Sequence, residues 1–595
     1  MLIGYNYHPS RQGCAYWTIR DFSEIERDLA QMAKEGCDLV RFFLFWRDFE
    51  PEPGQYNQQA FELLHRFVQT AASYQLHCIP SLMTIWMNGQ LFDLDWRNGR
   101  CLWSDPEMTE RAERYLQKVA ATLAACNNVF AYDIGDELPY VDLPSAVKLE
   151  RSAAARWLER MVAAIKRGDP AARVIMANDH SALNGEHVFT AELIAGQCDL
   201  LAIHGFPLWA PFALSANSSY RASLYVPFLT KLAAAYSRPL IDEYGLYGAS
   251  EAIRADYVRT SGTSALLHGA EGLVAWCWQD FVTRDKPYVW RPGEKDVGFY
   301  AADGTAKPSA AALQECRKTA RLAAEGIPVP PAAAIYLPQW FRTGRLSASG
   351  AGKSYLEPLF HAFLLLTRLH VPMSFVTDQL DRYKAVIVPC LQQITQSDID
   401  RLSAFVENGG TLIYTPGSYL YGFGGEELFG IRLRDFTRDI SQQEQFSWRG
   451  RSYPIDWRQA GFDQIPIIQT GSAEMLSRYR HSLHPALTKY HLGKGNAYYV
   501  NAPIEMMLDD AESGGDEPYR YLYLELLKDA KALPSVFFTS PDVELHRFRT
   551  GDGERYFLIN HTDRDVTGTL VTAGKEDQVV TIAKKGLICV NKRRV

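Results

Sequence analysis

The chain has 595 residues, 47% of them hydrophobic and 22% charged, with 62 basic and 69 acidic side chains leaving a net charge of −7. That length exceeds a single hydrophobic core and predicts about two to four domains, while the composition excludes a disordered or fibrous chain. The mild acidity offers no basic stripe for nucleic acid, and no apolar stretch approaches a membrane span.

The start, Met1-Leu-Ile-Gly-Tyr-Asn-Tyr-His-Pro, reads as a first strand, without the basic start, apolar region and small-residue cleavage site of an export signal. Ten cysteines are scattered with no Cys-x-x-Cys pair. They signal neither a redox motif nor a compact zinc site, and predict reduced thiols in a cytoplasmic protein. No cofactor or metal is expected.

From residue 1 to about 320, β-rich apolar runs alternate with helical periodicity. The runs are Leu2–Tyr7, Leu39–Phe45, His77–Met83, Val129–Ile134, Val174–Asn178, Leu200–His204, Leu240–Glu243 and Gly272–Trp278. Between the first two, Ser23 and Glu26 are spaced as a capping box, Ile25, Leu29, Met32 and Ala33 share a helical face, and Gly36 ends the helix. Eight such βα units over roughly 250 to 300 residues predict a (β/α)8 barrel.

Two of the runs end abruptly in a carboxylate: Glu137 in Tyr132-Asp-Ile-Gly-Asp-Glu-Leu-Pro and Glu243 in Pro239-Leu-Ile-Asp-Glu-Tyr-Gly. A strand of this kind delivers its acid to the carboxyl edge of a barrel, where that fold places its chemistry. A pair suits glycoside cleavage, which needs a proton for the departing oxygen and an anion beneath the anomeric carbon. A separation of about 5 to 5.5 Å gives retention and about 6.5 to 9.5 Å inversion.

Other strand-end residues are candidates beside them. Arg41, set in an apolar run, must meet a carboxylate. Asp136 reads equally as a sugar contact or as a partner of Arg41 or of backbone amides. His204 and Asn178 are candidate sugar contacts, as is His8, and a phenol from Tyr244 or Tyr7 can support Glu243. Trp46, Trp86, Trp209, Trp276 and Trp278 lie at or beyond strand ends, where an indole can stack on a pyranose. Trp278 is the expected platform, with Trp276 filling the core.

A Pro/Ala-rich passage, Gly326-Ile-Pro-Val-Pro-Pro-Ala-Ala-Ala, reads as a linker. After it, Ala334-Ile-Tyr-Leu-Pro, Ala385-Val-Ile-Val-Pro, a helix through Asp398–Glu407 and the strand Thr411-Leu-Ile-Tyr predict an open parallel sheet of the doubly wound kind. A helical stretch near Tyr519–Lys531 precedes the short alternating strands Val543–Phe548, Tyr556–Ile559, Gly568–Val571 and Val579–Ile582, which predict a small antiparallel β domain. The expected division is a barrel over 1–322, an α/β domain over 331–532 and a β-sandwich over 534–595.

These residues resemble a known group. Glu137 after the fourth run, Glu243 after the seventh in Asp-Glu-Tyr-Gly, Arg41 closing the second, Trp46-Arg-Asp-Phe-Glu-Pro-Glu-Pro-Gly-Gln-Tyr, His204-Gly-Phe-Pro and Trp278 are together similar to the retaining glycoside hydrolases of clan A. The order of domains resembles the family 42 β-galactosidases, in which a glutamine-amidotransferase-like, flavodoxin-like middle domain builds a trimer; the barrel motifs also resemble family 5. The resemblance implies Glu137 as acid/base, Glu243 as nucleophile, a β-linked oligosaccharide of galactose or mannose as substrate, exo-action and a homo-oligomer, most simply a trimer. An endo-acting mannanase or cellulase and an idle carbohydrate-binding protein stand as alternatives. Two positions depart from the clan: Asp136 stands where Asn usually precedes the acid/base, and Phe206 where a Tyr often follows the sixth strand. Cys390, between Pro389 and Leu391, lacks the Gly-flanked elbow of an amidotransferase, which leaves association as the middle domain's expected use.

Overall fold

The computed structural model describes residues 1–343, 354–417, 422–441, 443–461, 464–508, 517–572 and 576–593. The chain divides into two compact units, Met1–Ala210 with Tyr225–Ala324, and Pro211–Leu224 with Glu325–Val595.

In the first unit the apolar runs become eight parallel strands: β1 (Leu2–Tyr7), β2 (Leu39–Phe45), β3 (His77–Thr84), β4 (Tyr132–Asp136), β5 (Val174–Ala177), β6 (Leu201–Gly205), β7 (Pro239–Tyr244) and β8 (Gly272–Ala275). They are buried almost throughout, as strands covered on both faces must be. Their order is β5-β4-β3-β2-β1-β8-β7-β6. The sheet closes where Asn178 pairs with Ile203 and its carbonyl accepts from the His204 amide at 2.8 Å. Leu39, Ile79, Ala131, Ile175, Ala202, Leu240 and Val274 form one apolar core.

Two local expectations change. The first long helix, Phe22–Lys34, is capped by Asp21, whose carboxylate accepts from the Ser23 amide, and not by a Ser23/Glu26 box; Gly36 at φ 78° does follow its end. The fourth strand starts at Tyr132, because Val129 makes only an isolated pairing with Cys78.

The second unit carries a sheet with the order Met373–Val376, Ala333–Tyr336, Ala385–Leu391, Thr411–Pro416, Gly495–Val500, Pro485–Leu492, Glu474–Arg478. The first five are parallel and run second, first, third, fourth, fifth, the flavodoxin-like doubly wound order. The last two are antiparallel. Two further antiparallel pairs, Ile431–Thr437 with Ile465–Thr470 and Glu444–Trp448 with Arg451–Ile455, interrupt the βα alternation. The chain ends in two small antiparallel sheets whose facing residues, among them Phe538, Val543, Tyr556, Leu558, Leu570 and Ile582, form a sandwich core. The supposed linker is part of it: Ile327 and Pro328 pair with Arg549 and Phe548 at the sheet edge, where a proline costs no ladder bond.

Strands β1 and β2 approach closely at Gly4, where an added Cβ would lie 2.0 Å from the Leu39 carbonyl oxygen. Backbone cannot yield there as a side chain can. Gly4→Ala is expected to destabilise the barrel by about 1–3 kcal/mol, read as a lower denaturant midpoint by tryptophan fluorescence; an unchanged midpoint would contradict the close approach.

Candidate active site

At the carboxyl ends of the barrel strands, Arg41 is fully buried and surrounded by acids. Its Nη2 donates to Asp133 Oδ2 at 2.8 Å and Asp136 Oδ1 at 2.6 Å, and its Nη1 to Glu243 Oε1 and Asn6 Oδ1, each at 2.9 Å. Its Nε lies 3.6 Å from Asp242 Oδ2. Burial opposes charge on the guanidinium, but Asp136, Asp242, Asp133 and Glu243 outweigh it and push its pKa up.

Strict alternation would not aim these acids at one cation. In β4 the partner of Asp133 is Ile175 and that of Asp136 is Ala177, three steps against two. In β7 the pairs Ile203 with Ile241 and His204 with Glu243 show the same slip around Asp242. Each extra residue is a bulge that re-aims the side chains after it. Asp136 thereby joins Asp133, and Asp242 and Glu243 reach Arg41 although adjacent in sequence. The same bulge turns Tyr244 away from the mouth: it is buried, stacks on Tyr257 at 5.6 Å and donates to the Val258 carbonyl at 3.2 Å.

Glu137 follows β4 in the left-handed region at φ 41°, a conformation costly for a side-chain-bearing residue and held only where the surroundings impose it. Its Oε1 is 2.8 Å from His204 Nδ1, and the same nitrogen is 3.6 Å from Glu243 Oε2. The nearest oxygens of the two glutamates therefore lie no farther apart than those two distances laid end to end. His204 Nε2 sits 3.7 Å from both Asp136 and Asp242. Burial opposes protonating His204, yet Glu243, Asp242 and Glu137 raise its pKa well above that of a free imidazole. Burial raises Glu243, with His204 and Arg41 opposing. It also raises Asp136 to about 6, again against Arg41.

Asp136, Glu137, His204 and Glu243 open into a cleft of about 370 Å³, a size suited to a sugar-sized ligand. Its walls include Trp86, Tyr140, Asp179, His180, Phe206, Trp209, Tyr247, Trp276, Arg291 and Glu294. The platform expectation is corrected here. Trp278 is completely buried, packed 4.2 Å from the Tyr300 ring, while Trp276 lines the cleft. β8 stops at Ala275, so the alternation counted through Trp278 no longer holds there. Asn178 is also outside the cleft lining, its amide turned to the Met176 carbonyl at 3.2 Å, and His8 stacks on Phe43 at 4.8 Å. Trp46 packs on Tyr115 at 5.2 Å. Asp136 takes Arg41 as partner and also lines the cleft.

Sequence reasoning missed Asn6, Asp133 and Asp242, although Asp242, standing directly before Glu243 as Asp136 stands before Glu137, was a usable sign. Tyr140, Asp179, His180, Tyr247, Arg291 and Glu294 come from the turns and short helices beyond the strands, which carry no periodic signal. Asp136, His204 and Glu243 offer ligand atoms near one another, but the cation already against two of those carboxylates is the Arg41 guanidinium.

An Asp whose pKa is higher folded than unfolded holds its proton more tightly in the native state. Its stabilising contribution is complete below the unfolded pKa of about 3.9 and is lost as pH rises to about 6. Asp136→Asn is expected to remove that component, so denaturant midpoints of variant and parent should diverge between about pH 4 and 6. Parallel curves across that window would show that Asp136 keeps an ordinary pKa.

Residues 339–531 match the family described as the β-galactosidase trimerisation domain. Among curated proteins, the β-galactosidase LacZ of Heyndrickxia coagulans is 26% identical over 232 residues, 36% of this chain and 32% of that protein. The β-galactosidase BglY of Alicyclobacillus acidocaldarius is 26% identical over 227 residues, 35% of this chain and 31% of that protein. The matched region thus spans about a third of the length of these relatives. Among solved structures, a family 42 β-galactosidase from G. stearothermophilus superposes with a TM-score of 0.76 at 16% identity, covering 100% of this chain and 98% of its own. An exo-β-1,4-mannosidase from Opitutaceae bacterium strain TAV5 gives 0.75 at 23% identity, covering 89% and 94%. A GH5_18 protein from Streptomyces cattleya, in complex with Manβ1-4GlcNAc, gives 0.55 at 22%, covering 63% of this chain and 94% of its own. In fold and domain order the chain resembles the family 42 β-galactosidases of clan A, with a barrel similar also to family 5.

Proposed function

We propose that the chain is a retaining β-glycoside hydrolase with Glu243 as nucleophile and Glu137 as acid/base. The observation that carries this reading is that both carboxylates lie against one nitrogen of His204. By those two distances their nearest oxygens fall short of the roughly 6.5 Å at which inverting pairs begin, which supports direct attack.

In this reading Glu243 attacks the anomeric carbon as an anion, and Arg41 at 2.9 Å and the charged His204 at 3.6 Å offset the burial that opposes its ionisation. Glu137, the more exposed of the two at 21% against 9% for the side chain, gives its proton to the departing oxygen. Its Oε1 lies 2.8 Å from His204 Nδ1, a contact that holds the carboxyl in place, and it takes its proton back from water in the second step. Water, activated by the deprotonated Glu137, then releases the sugar from Glu243 with its configuration kept.

The favoured substrates are β-galactosides or β-mannosides of short oligosaccharides, cleaved from the end. The curated β-galactosidases support the first and the mannosidase likeness the second. The division at 1–322, 331–532 and 534–595 belongs to the same reading. So does a cytoplasmic location, supported by ten cysteines all free, seven of them buried; among the described residues no helix is long and apolar enough to cross a membrane.

A panel of aryl β-glycosides tests the activity, and turnover of none of them would refute it. Glu243→Ala should lose at least about a thousandfold in kcat and regain activity with azide, forming the glycosyl azide of opposite configuration. Glu137→Ala should spare the first step for activated leaving groups; equal losses on activated and unactivated substrates would exchange or dismiss the roles.

The match over residues 339–531 supports assembly as a homo-oligomer, with a trimer favoured. Light scattering of the full chain should report three copies, and a monomer at micromolar concentration would rule the trimer out.

A further inference from the structure

Resting on that assignment, we infer that Trp86 and Tyr140 form the platform for the departing group, and that this group is itself a pyranose. In a retaining glycosidase the nucleophile lies beneath the sugar that stays, and the acid/base lies beside the oxygen that leaves. The cleft walls divide along the same line. Phe206, Tyr247 and Trp276 follow β6, β7 and β8, on the side of Glu243. Tyr140 belongs to the turn begun by Glu137, with its amide donating to the Glu137 carbonyl at 3.0 Å.

Tyr140 and Trp86 are partly exposed in the cleft, their ring centroids 5.8 Å apart and their planes inclined by 32°. They make a bent aromatic shelf next to the acid. Both rings are held in place. The Tyr140 hydroxyl donates to Asp179 Oδ2 at 2.8 Å. Trp86 sits on a tight hairpin, pairing with Leu91 while Met87 pairs with Gln90. Asn88 and Gly89 turn it at φ 50° and 76°, the two left-handed positions such a turn requires. The Gly89 backbone is pressed by the Arg291 guanidinium, 2.1 Å from where a Cβ would stand, so the tip cannot carry a side chain without moving Arg291.

The chemistry of the shelf selects a sugar. A pyranose offers an apolar C–H face to an indole and hydroxyls at its edge. Beside the rings, Asp179 is an acceptor kept ionised by His180, Ser181 and Tyr140 in spite of burial, and His180 adds a ring nitrogen. A simple alcohol would cover neither ring, and a flat aryl group would offer no hydroxyl to Asp179 or His180.

Two measurements on the full chain decide the matter. The first is the ratio of kcat/KM on β-1,4-mannobiose or lactose to that on the corresponding glycosyl fluoride, whose leaving group is a single atom. Trp86→Ala should lower that ratio roughly tenfold, the order of one aromatic contact. The second needs no turnover. In Glu243→Gln protein, calorimetry should show the disaccharide binding roughly tenfold tighter than mannose or galactose, with Trp86→Ala abolishing the difference. An unchanged kinetic ratio, or equal affinity for disaccharide and monosaccharide with Trp86 in place, overturns the platform. Failure of the parent to hydrolyse even the fluoride counts against the hydrolase reading alone, and the binding measurement still decides the platform.

Discussion

The barrel mouth is organised by one buried cation. Taking a guanidinium out of water costs several kcal/mol even after the protein relaxes, and only well-placed anions and hydrogen bonds recover it. Arg41 finds Asp133, Asp136, Asp242 and Glu243, with Asn6 Oδ1 accepting a further bond from Nη1. Asp133 is satisfied further by the amides of Gly135 and Ala177 at 3.2 and 3.0 Å. The acids nonetheless outnumber the cations, since Glu137 brings the carboxylates to five against Arg41 and His204. Protons are held in the cluster: burial raises Asp136 and Glu243, and the surrounding acids raise His204 against its own burial. Groups this close titrate together rather than singly. A double displacement requires one acid protonated while its neighbour is ionised, and a cluster short of positive charge is suited to holding a proton in such a state.

How much of this could be read in the sequence depended on where regular periodicity held. β1 and β2 are largely apolar runs, interrupted by Asn6 and Arg41, and their limits coincide with the expected ones. Glu137 and Glu243 were visible because each ends such a run. What surrounds them was hidden by bulges, because alternation puts Asp136 opposite Asp133 and Asp242 opposite Glu243, while one added residue in each strand reverses that. The bulge in β7 explains why Tyr244 reads as a site residue and lies behind the site, and the end of β8 at Ala275 does the same for Trp278. The residues beyond the strands that complete the cleft, such as Tyr140, Arg291 and Glu294, are joined only by the closure of the barrel, and no local pattern relates them.

The second unit was legible to the same degree for the same reason. The strands Ala385–Leu391 and Thr411–Pro416 are buried at every position and stood out, while Ile431–Thr437 is buried only at Ile431 and Arg451–Ile455 only at Tyr453 and Ile455, and both carry charges that diluted the signal. Cys390 shows the limit of reading neighbours alone. Without flanking glycines it still adopts φ 40°, and its thiol donates to the buried Glu505 carboxylate at 3.1 Å, held also by Thr415 at 2.7 Å. Burial and Glu505 keep that thiol protonated, the opposite of what a nucleophile needs.

The pairing of Ile327 and Pro328 with Val543–Thr550 bears on how the chain is made. The terminal sheet takes its edge strand from before the flavodoxin-like region and its other strands from after it. On the ribosome that edge segment emerges well before Val543–Thr550 and has no partner strand until those residues follow it. The intervening region is then made before its two flanks can be fastened together. Completion of the sandwich is a long-range closure, slow by its nature.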